Sequence, residues 1–382
     1  MKIGVVTPYF YPAWEYGGTP RAAFELARAV AARGHEVRVL TTGPASTTKS
    51  VHGTDIVYCR NLSEYLAHRH RLFLPIGFRK ELGSNLKNFD LLHIHEFRST
   101  LTVPAARLSR ELCTPYVISL HGGLPHLGKV LAKRVFDGLW GKSILDHAAR
   151  VLVLSTKEKA AALAFGVEES RIQCLPNAID VSEYGTMPSP DLFRKRWNLS
   201  AAKTILFLGR LNYIKGIDLL IEAFLSLRRE REDLQLVLAG PDDGAAKNIP
   251  RHSNIRITGY LDQQAKLEAF TAADVVVLPS TSEASPVVLF EALLCRRPAI
   301  VSSACELPMS QPEAHGILQF ESLNTRELRD KLLFALTDTH LSDNAAVGRD
   351  FVLLEFSPKV VAEKAERIYE EAVFRKSRLP QM

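Results

Sequence analysis

Short β-rich apolar runs alternate with stretches of helical periodicity along almost the whole chain, and this constrains the fold more than any other feature. Such alternation reads as parallel strands joined by helical crossovers. The first strand is Ile3–Thr7. After the loop Pro8–Gly18, Thr19 reads as the cap of a helix whose first position is Pro20, where no amide donor is needed. Ala23, Phe24, Ala27, Val30 and Ala31 form its apolar stripe, and Arg33-Gly34 ends it before the strand Val37–Thr41. Ile56–Cys59, Leu91–His95, Tyr116–Leu120, Val151–Ser155 and Ile172–Leu175 complete a first sheet. Ala178 to Ala202 holds no strand-like run and contains Pro188, Ser189 and Pro190, so it reads as a linker. A second series follows at Thr204–Gly209, Leu236–Gly240, Ile255–Thr258, Val275–Leu278, Ala299–Ser302 and Ile317–Phe320.

The expectation is therefore α/β, with two Rossmann-like doubly wound domains: 1–180, and 181–364 with the linker. A strongly helical pattern, Ser357–Phe374, opens at Pro358 and reaches back, so a C-terminal helix of about 365–382 is expected to complete the first domain. With 382 residues, 46% hydrophobic and 24% charged, a disordered or fibrous chain is excluded. The apolar run Ala273–Pro279 falls far short of the ~20 residues of a membrane span. The chain opens directly as a strand and its five cysteines lack C-x-x-C spacing, which together suggest a cytoplasmic protein with reduced thiols.

Charge is uneven. Residues 1–180 hold 23 Lys and Arg against 15 Asp and Glu, and the remainder 25 against 27. The excess gathers in Arg60–Lys80 and Leu124–Lys142, which also carry apolar and aromatic residues. Nucleic acid, an anionic membrane or acidic substrate, and a plain solvated face all remain open on this count.

In an open parallel sheet the ligand site lies beyond the carboxyl ends of the strands. The strand at 204–209 runs into Gly209-Arg210-Leu211-Asn212-Tyr213-Ile214-Lys215-Gly216, two cations beside a helix start, which suits a pyrophosphate. After the strand at 275–278 comes Pro279-Ser280-Thr281-Ser282-Glu283-Ala284-Ser285-Pro286-Val287, with Glu291 about a turn into the helix that Pro286 opens. Amides there can hold an anion, and Glu291 can accept from a vicinal diol such as ribose. Equally, Glu283 could be a dipole cap and Glu291 a surface acid. His93 and His95 are read as alternating on their strand and facing opposite sides. The acidic pair Asp242-Asp243 reads as a turn.

Taken together, Gly17-Gly18, Gly209-Arg210…Lys215-Gly216 and Glu283-x7-Glu291 resemble the retaining glycosyltransferases of family 4, with the GT-B fold of two Rossmann-like domains facing each other across a cleft. Ala32–Val37, His93-Ile94-His95, Leu120-His121-Gly122, Leu175–Asp180 and Thr258–Leu261 match as well. Ala284 and Ala178 depart, standing where the family commonly has glycine. The resemblance implies a nucleoside-diphosphate sugar donor, UDP-sugar favoured over GDP-mannose, and a glycan or lipid-linked acceptor in polysaccharide or glycolipid assembly. It implies that Arg210 and Lys215 neutralise the diphosphate and that Glu291 binds ribose. Gly209 allows close approach, and Gly259, Tyr260 and Leu261 frame the base. Glu283 with the amides of Ala284, Ser285, Pro286 and Val287 would hold the sugar and distal phosphate, Gly17 and Gly18 would bring further amides onto the phosphate, and His121 would stand near the reaction centre. His121, Glu283, Arg210 and Lys215 are the expected catalytic set. No metal or other cofactor is expected: there is no Asp-x-Asp, and no protein nucleophile is required.

In such a protein the basic, apolar stretches suit a lipid-diphosphate acceptor at the inner membrane face, with no nucleic-acid partner. Three other readings fit the sequence less well. A nicotinamide dehydrogenase needs G-x-G-x-x-G directly after a strand, which is missing. A catalytically silent nucleotide-sugar or polyanion-binding module would not call for Glu283, Arg210, Lys215 and His121 together. A phosphorylase would require a pyridoxal site, for which no pattern is seen.

Overall fold

The computed structural model describes every residue except Gly17, 126–129, 201–202, Ala284 and 379–382, and every side chain of the rest except those of Glu15 and 375–378. The chain divides into two units, Met1–Ile179 with Pro358–Met382, and Asp180–Ser357.

The first unit is built on β1 (Lys2–Val6), β2 (Glu36–Gly43), β3 (Thr47–Val51), β4 (Thr54–Arg60), β5 (Leu91–His95), β6 (Tyr116–Ser119), β7 (Arg150–Val153) and β8 (Ile172–Cys174). They lie in the order β3-β4-β2-β1-β5-β6-β7-β8, parallel apart from the edge strand β3. Successive residues of a strand point to opposite faces, so each apolar run feeds two cores. Val6, Leu92, Ile94 and Ile118 pack in one, and Ile3, Val5 and Val117 in the other.

The terminal helix Pro358–Arg378 lies against the second of these cores. Its buried stripe is Val361, Ala362, Ala365, Ile368, Tyr369 and Ala372, at the three- and four-residue spacing of one helix face. Each large side chain so buried contributes about 1.5–3 kcal/mol. The helix starts at Pro358, where the pattern opens, and belongs to the first unit from there and not only from about 365.

The second unit holds β9 (Lys203–Leu208), β10 (Leu234–Ala239), β11 (Ile255–Gly259), β12 (Val275–Leu278), β13 (Ala299–Ser302) and β14 (Ile317–Phe320). Their order is β11-β10-β9-β12-β13-β14, all parallel.

Two local readings are corrected and one strand is added. Thr19 is no cap: the helix begins at Gly18 and Thr19 lies in its first turn. The expected linker is structured, since Val181–Tyr184 forms a 3-10 turn and Pro190–Arg196 a helix. Tyr184 and Phe193 are buried in the second unit. The edge strand β3, Thr-Thr-Lys-Ser-Val, is mostly exposed and owes its form to pairing with β4, so no apolar pattern marks it.

Candidate active site

In the second unit, β11, β10, β9 and β12 are consecutive neighbours and all parallel, so their exits share one edge of the sheet. In that order the exits carry Gly259–Leu261, Asp242-Asp243, Gly209–Gly216 and Pro279–Val287. The loops touch where side chains are lacking. A Cβ on Gly240 would fall 1.9 Å from the Gly209 carbonyl, and one on Gly216, at φ +65°, would fall 2.1 Å from the Pro279 carbonyl. The Thr281 N–H donates to the Ile214 carbonyl at 2.8 Å, lacing the loops after β9 and β12 together.

The close approach joins two expected site residues: Lys215 Nζ donates to Glu283 Oε2. Both side chains are partly exposed. Asn212 caps the short turn, accepting the Lys215 N–H on Oδ1 at 3.1 Å. Arg210 Nη1 donates to Asp243 Oδ2 at 2.8 Å, and Asn212 Nδ2 to the same oxygen at 3.0 Å. Asp242 Oδ1 accepts the Gly244 and Ala246 N–H groups, so this pair does form a turn, but Asp243 is also the counter-charge of Arg210. Each cation therefore holds a carboxylate that an arriving diphosphate would rival.

Glu291 is not a surface acid. It lies on the inner face of the helix Val287–Leu294, where Oε1 accepts from Tyr184 Oη at 2.7 Å and from Lys266 Nζ at 2.5 Å. All three residues are buried. The expected row of amides after Glu283 is shorter than expected. Pro286 has no N–H, and the Val287 N–H donates to the Ser285 carbonyl at 2.9 Å. Ala284 lies outside the described residues. Gly259 ends β11 at φ +71°, and Tyr260 beyond it is largely exposed.

In the first unit, His121 follows β6 in a left-handed turn at φ +49°. Its loop is held from two sides. The buried Glu158 carboxylate accepts the N–H groups of Gly122 and Leu154, and Arg98 reaches the carbonyls of Gly123 and Leu124 while pairing with Asp137 at 2.6 Å. His93 and His95 correct the sequence reading. Residues i and i+2 of a strand share a face, and here the two rings stack with centroids 4.1 Å apart. His93 Nδ1 meets Tyr369 Oη and its Nε2 meets Ser119 Oγ, both at 2.8 Å. His95 Nδ1 lies 2.8 Å from His121 Nε2. Burial holds all three rings neutral: it pushes His93 down to about 3 and His121 to about 4, and His95 well below the ordinary histidine range. Gly18 opens its helix, and a Cβ there would meet nothing within 4 Å. Gly17 lies outside the described residues.

Sequence reasoning missed Arg98, Glu158, Tyr184, Lys266 and Tyr369. Each acts through a contact distant in sequence; for Glu158, Lys266 and Tyr369 the available signal was a charge or hydroxyl on the buried face of a helix, and Arg98, in the loop after β5, and Tyr184, in a short turn, offered none.

Comparison with known proteins follows from this geometry. A profile for Glycosyltransferase Family 4 matches residues 16–183, and one for glycosyl transferases group 1 matches 202–338. The chain is 26% identical to an uncharacterized glycosyltransferase of Methanocaldococcus jannaschii, over 83% of this chain and 84% of the relative. It is also 26% identical to a phosphatidyl-myo-inositol mannosyltransferase of Mycobacterium leprae, over 97% of this chain and 96% of the relative. Among solved structures, HepE of Anabaena in complex with UDP and glucose superposes with a TM-score of 0.76 at 17% identity, over 97% of this chain and 99% of that one.

Proposed function

The chain belongs to the family 4, group 1 glycosyltransferases of the GT-B fold, and on that premise we propose that it transfers a sugar from a UDP-sugar, with retention at the anomeric carbon, to a glycan or lipid-linked glycan. The observation that carries the donor reading is the Lys215–Glu283 pair, formed where the loops after β9 and β12 meet, with Arg210 on the same loop. Arg210 and Lys215 supply positive charge for the diphosphate as the nucleotide leaves, a task a metal performs elsewhere, so the reaction is proposed to be metal-independent. Glu283, freed from Lys215 by the incoming phosphates, accepts sugar hydroxyls. Tyr184 and Lys266 keep the Glu291 carboxylate in place for the ribose hydroxyls, and Gly259–Leu261 frame the base. In this reading a donor phosphate oxygen takes the acceptor proton, and His121 stands beside the donor sugar. UDP is favoured because one structural neighbour, HepE, stands in complex with UDP and glucose; GDP-mannose is the alternative, since a mannosyltransferase is among the relatives.

The membrane reading rests on the first unit. Leu62, Tyr65, Leu72 and Ile76 are exposed in the basic stretch 60–80, and Val130, Leu131, Val135, Leu139 and Trp140 in the stretch 124–142. Lys129, also expected there, lies outside the described residues. Apolar anchors among lysines and arginines suit peripheral contact with an anionic, cytoplasmic membrane face. Among the described residues no helix is long and apolar enough to cross a membrane.

Thermal unfolding with UDP, GDP, ADP and CMP in the presence of EDTA tests the donor reading. A ligand at a hundred times its dissociation constant stabilises by ~2.7 kcal/mol, a shift of several degrees. A selective shift with UDP supports it, and a shift with none of the four overturns it. Product NMR at the anomeric proton then decides retention.

A further inference from the structure

Glu96 stands at the exit of β5, directly after His95, and the proposed function gives it no task. Its backbone is left-handed, at φ +71°, a region that disfavours side chains with a Cβ. Both of its backbone groups are tied down: its N–H donates to the Ser119 carbonyl at 3.1 Å, and its own carbonyl accepts from Thr102 Oγ1 at 2.7 Å. The adjacent strand and the following helix thus clamp the strained turn. One strand over, His121 is left-handed as well. Neighbouring exits of one parallel sheet therefore present a carboxyl and an imidazole at the same edge.

The Glu96 carboxyl itself makes no hydrogen bond or ion pair with any described residue. Burial with no compensating charge pushes it up to about 8. The contrast is Glu158, buried where Glu96 is half-buried, whose carboxylate accepts two backbone N–H groups and anchors a loop. A half-buried carboxyl on a strained backbone, with no partner among the described residues, does nothing for the fold, so its use is to be sought in a ligand.

We propose that Glu96 binds a hydroxyl pair of the acceptor, beside His121, and that the part of the acceptor it meets is a neutral polyol such as a sugar ring or cyclitol. A carboxyl receives two O–H donors and, when protonated, returns one. An acceptor phosphate would instead need cations and lie among the basic residues of the unit. The proposal rests on the transferase reading above.

The test compares wild type with Glu96→Gln and Glu96→Asn, asparagine being tolerant of the left-handed backbone. UDP-glucose, or GDP-mannose if the nucleotide panel selects GDP, is the donor; glucose, mannose, myo-inositol and octyl glucoside are the acceptors. Transfer, donor hydrolysis by water, UDP or GDP affinity and thermal midpoint are read on the same preparations. For transfer to whichever acceptor wild type uses, kcat/KM falls at least tenfold, carried by KM. Nucleotide affinity and donor hydrolysis stay within twofold, and both variants melt at or above wild type. Transfer within twofold of wild type overturns the proposal. So does a midpoint several degrees lower in both variants, which would assign the carboxyl to the fold. If wild type neither binds a nucleotide nor consumes donor, the donor reading is what fails, and the midpoints still judge Glu96.

Discussion

His95 Nδ1 and His121 Nε2 lie 2.8 Å apart, between stacked rings that burial keeps neutral. Two neutral imidazoles share one proton along that line, so the tautomer of either fixes the other. With Nε2 so engaged, only Nδ1 of His121 is left for the substrate contact proposed above. Replacing His95 with leucine should therefore lower kcat by about ten- to a hundredfold, the range seen when an orienting partner is lost. His95→Asn, which can place an amide near the position of Nδ1, should restore much of it. Long-range nitrogen–proton NMR correlations of the His121 ring read the tautomer directly, and an unchanged pattern in His95→Leu would separate the two residues.

Lys215→Ala should weaken UDP binding by roughly 1.5–3 kcal/mol, the worth of a hydrogen bond to a charged group, or about ten- to a hundredfold. Calorimetric titration measures it. Affinity within twofold of wild type would remove Lys215 from the diphosphate site.

The buried pair of Lys266 and Glu291 gives a stability prediction. Lys266→Ala strands a buried carboxylate and should cost about 3–5 kcal/mol in urea unfolding. Lys266→Met combined with Glu291→Leu should recover most of that loss while abolishing any ribose contact. Full nucleotide affinity in the folded double variant would show that Glu291 serves only the fold.

Stability should peak near pH 6.5. The unfolded histidines titrate at about 6.5, whereas burial holds His93 near 3 and His121 near 4 in the fold. The unfolded chain thus binds more protons below pH 6.5, and stability is lost as pH falls through that window. Glu96 works in reverse: its folded value of about 8 lies above the ordinary 4.5, so its contribution is lost as pH rises from 4.5 to 8. Thermal midpoints across pH 4 to 9 should show both limbs. Glu96→Gln should flatten the upper limb, and a slope identical to wild type would contradict the assignment.

Membrane contact predicts that vesicles rich in anionic phospholipid sediment the protein at low salt, and that Leu131→Asp with Trp140→Ala reduces the bound fraction severalfold. Equal sedimentation of both proteins would place the contact elsewhere.

What the sequence disclosed followed from local rules. Strand exits could be located from apolar runs, and with them the proposed site residues Arg210, Lys215, Glu283 and His121, because ligands of a parallel sheet bind just past its strands. The pairing of Lys215 with Glu283 needed the Gly216–Pro279 contact, which periodicity does not encode. The placing of His93 and His95 on opposite sides misapplied a two-residue period that puts them on one face. The surface-acid alternative for Glu291 could not be dismissed from the sequence, because its partners stand 25 and 107 positions away. The tie from His93 to Tyr369 spans 276 residues and had no local signal at all.

That last contact sets an order of assembly. The first unit takes its final helix, Pro358–Arg378, from chain that follows the whole of the second unit. On the ribosome, Asp180–Ser357 is therefore complete and free to fold while the sheet translated before it still lacks one cover. Until the helix arrives, the apolar face around Ile3, Val5 and Val117 is covered only in part, by the helix Gly18–Ala31, and His93 lacks its tyrosine. The unit synthesised first is the one finished last, and until then part of its apolar face is open to solvent.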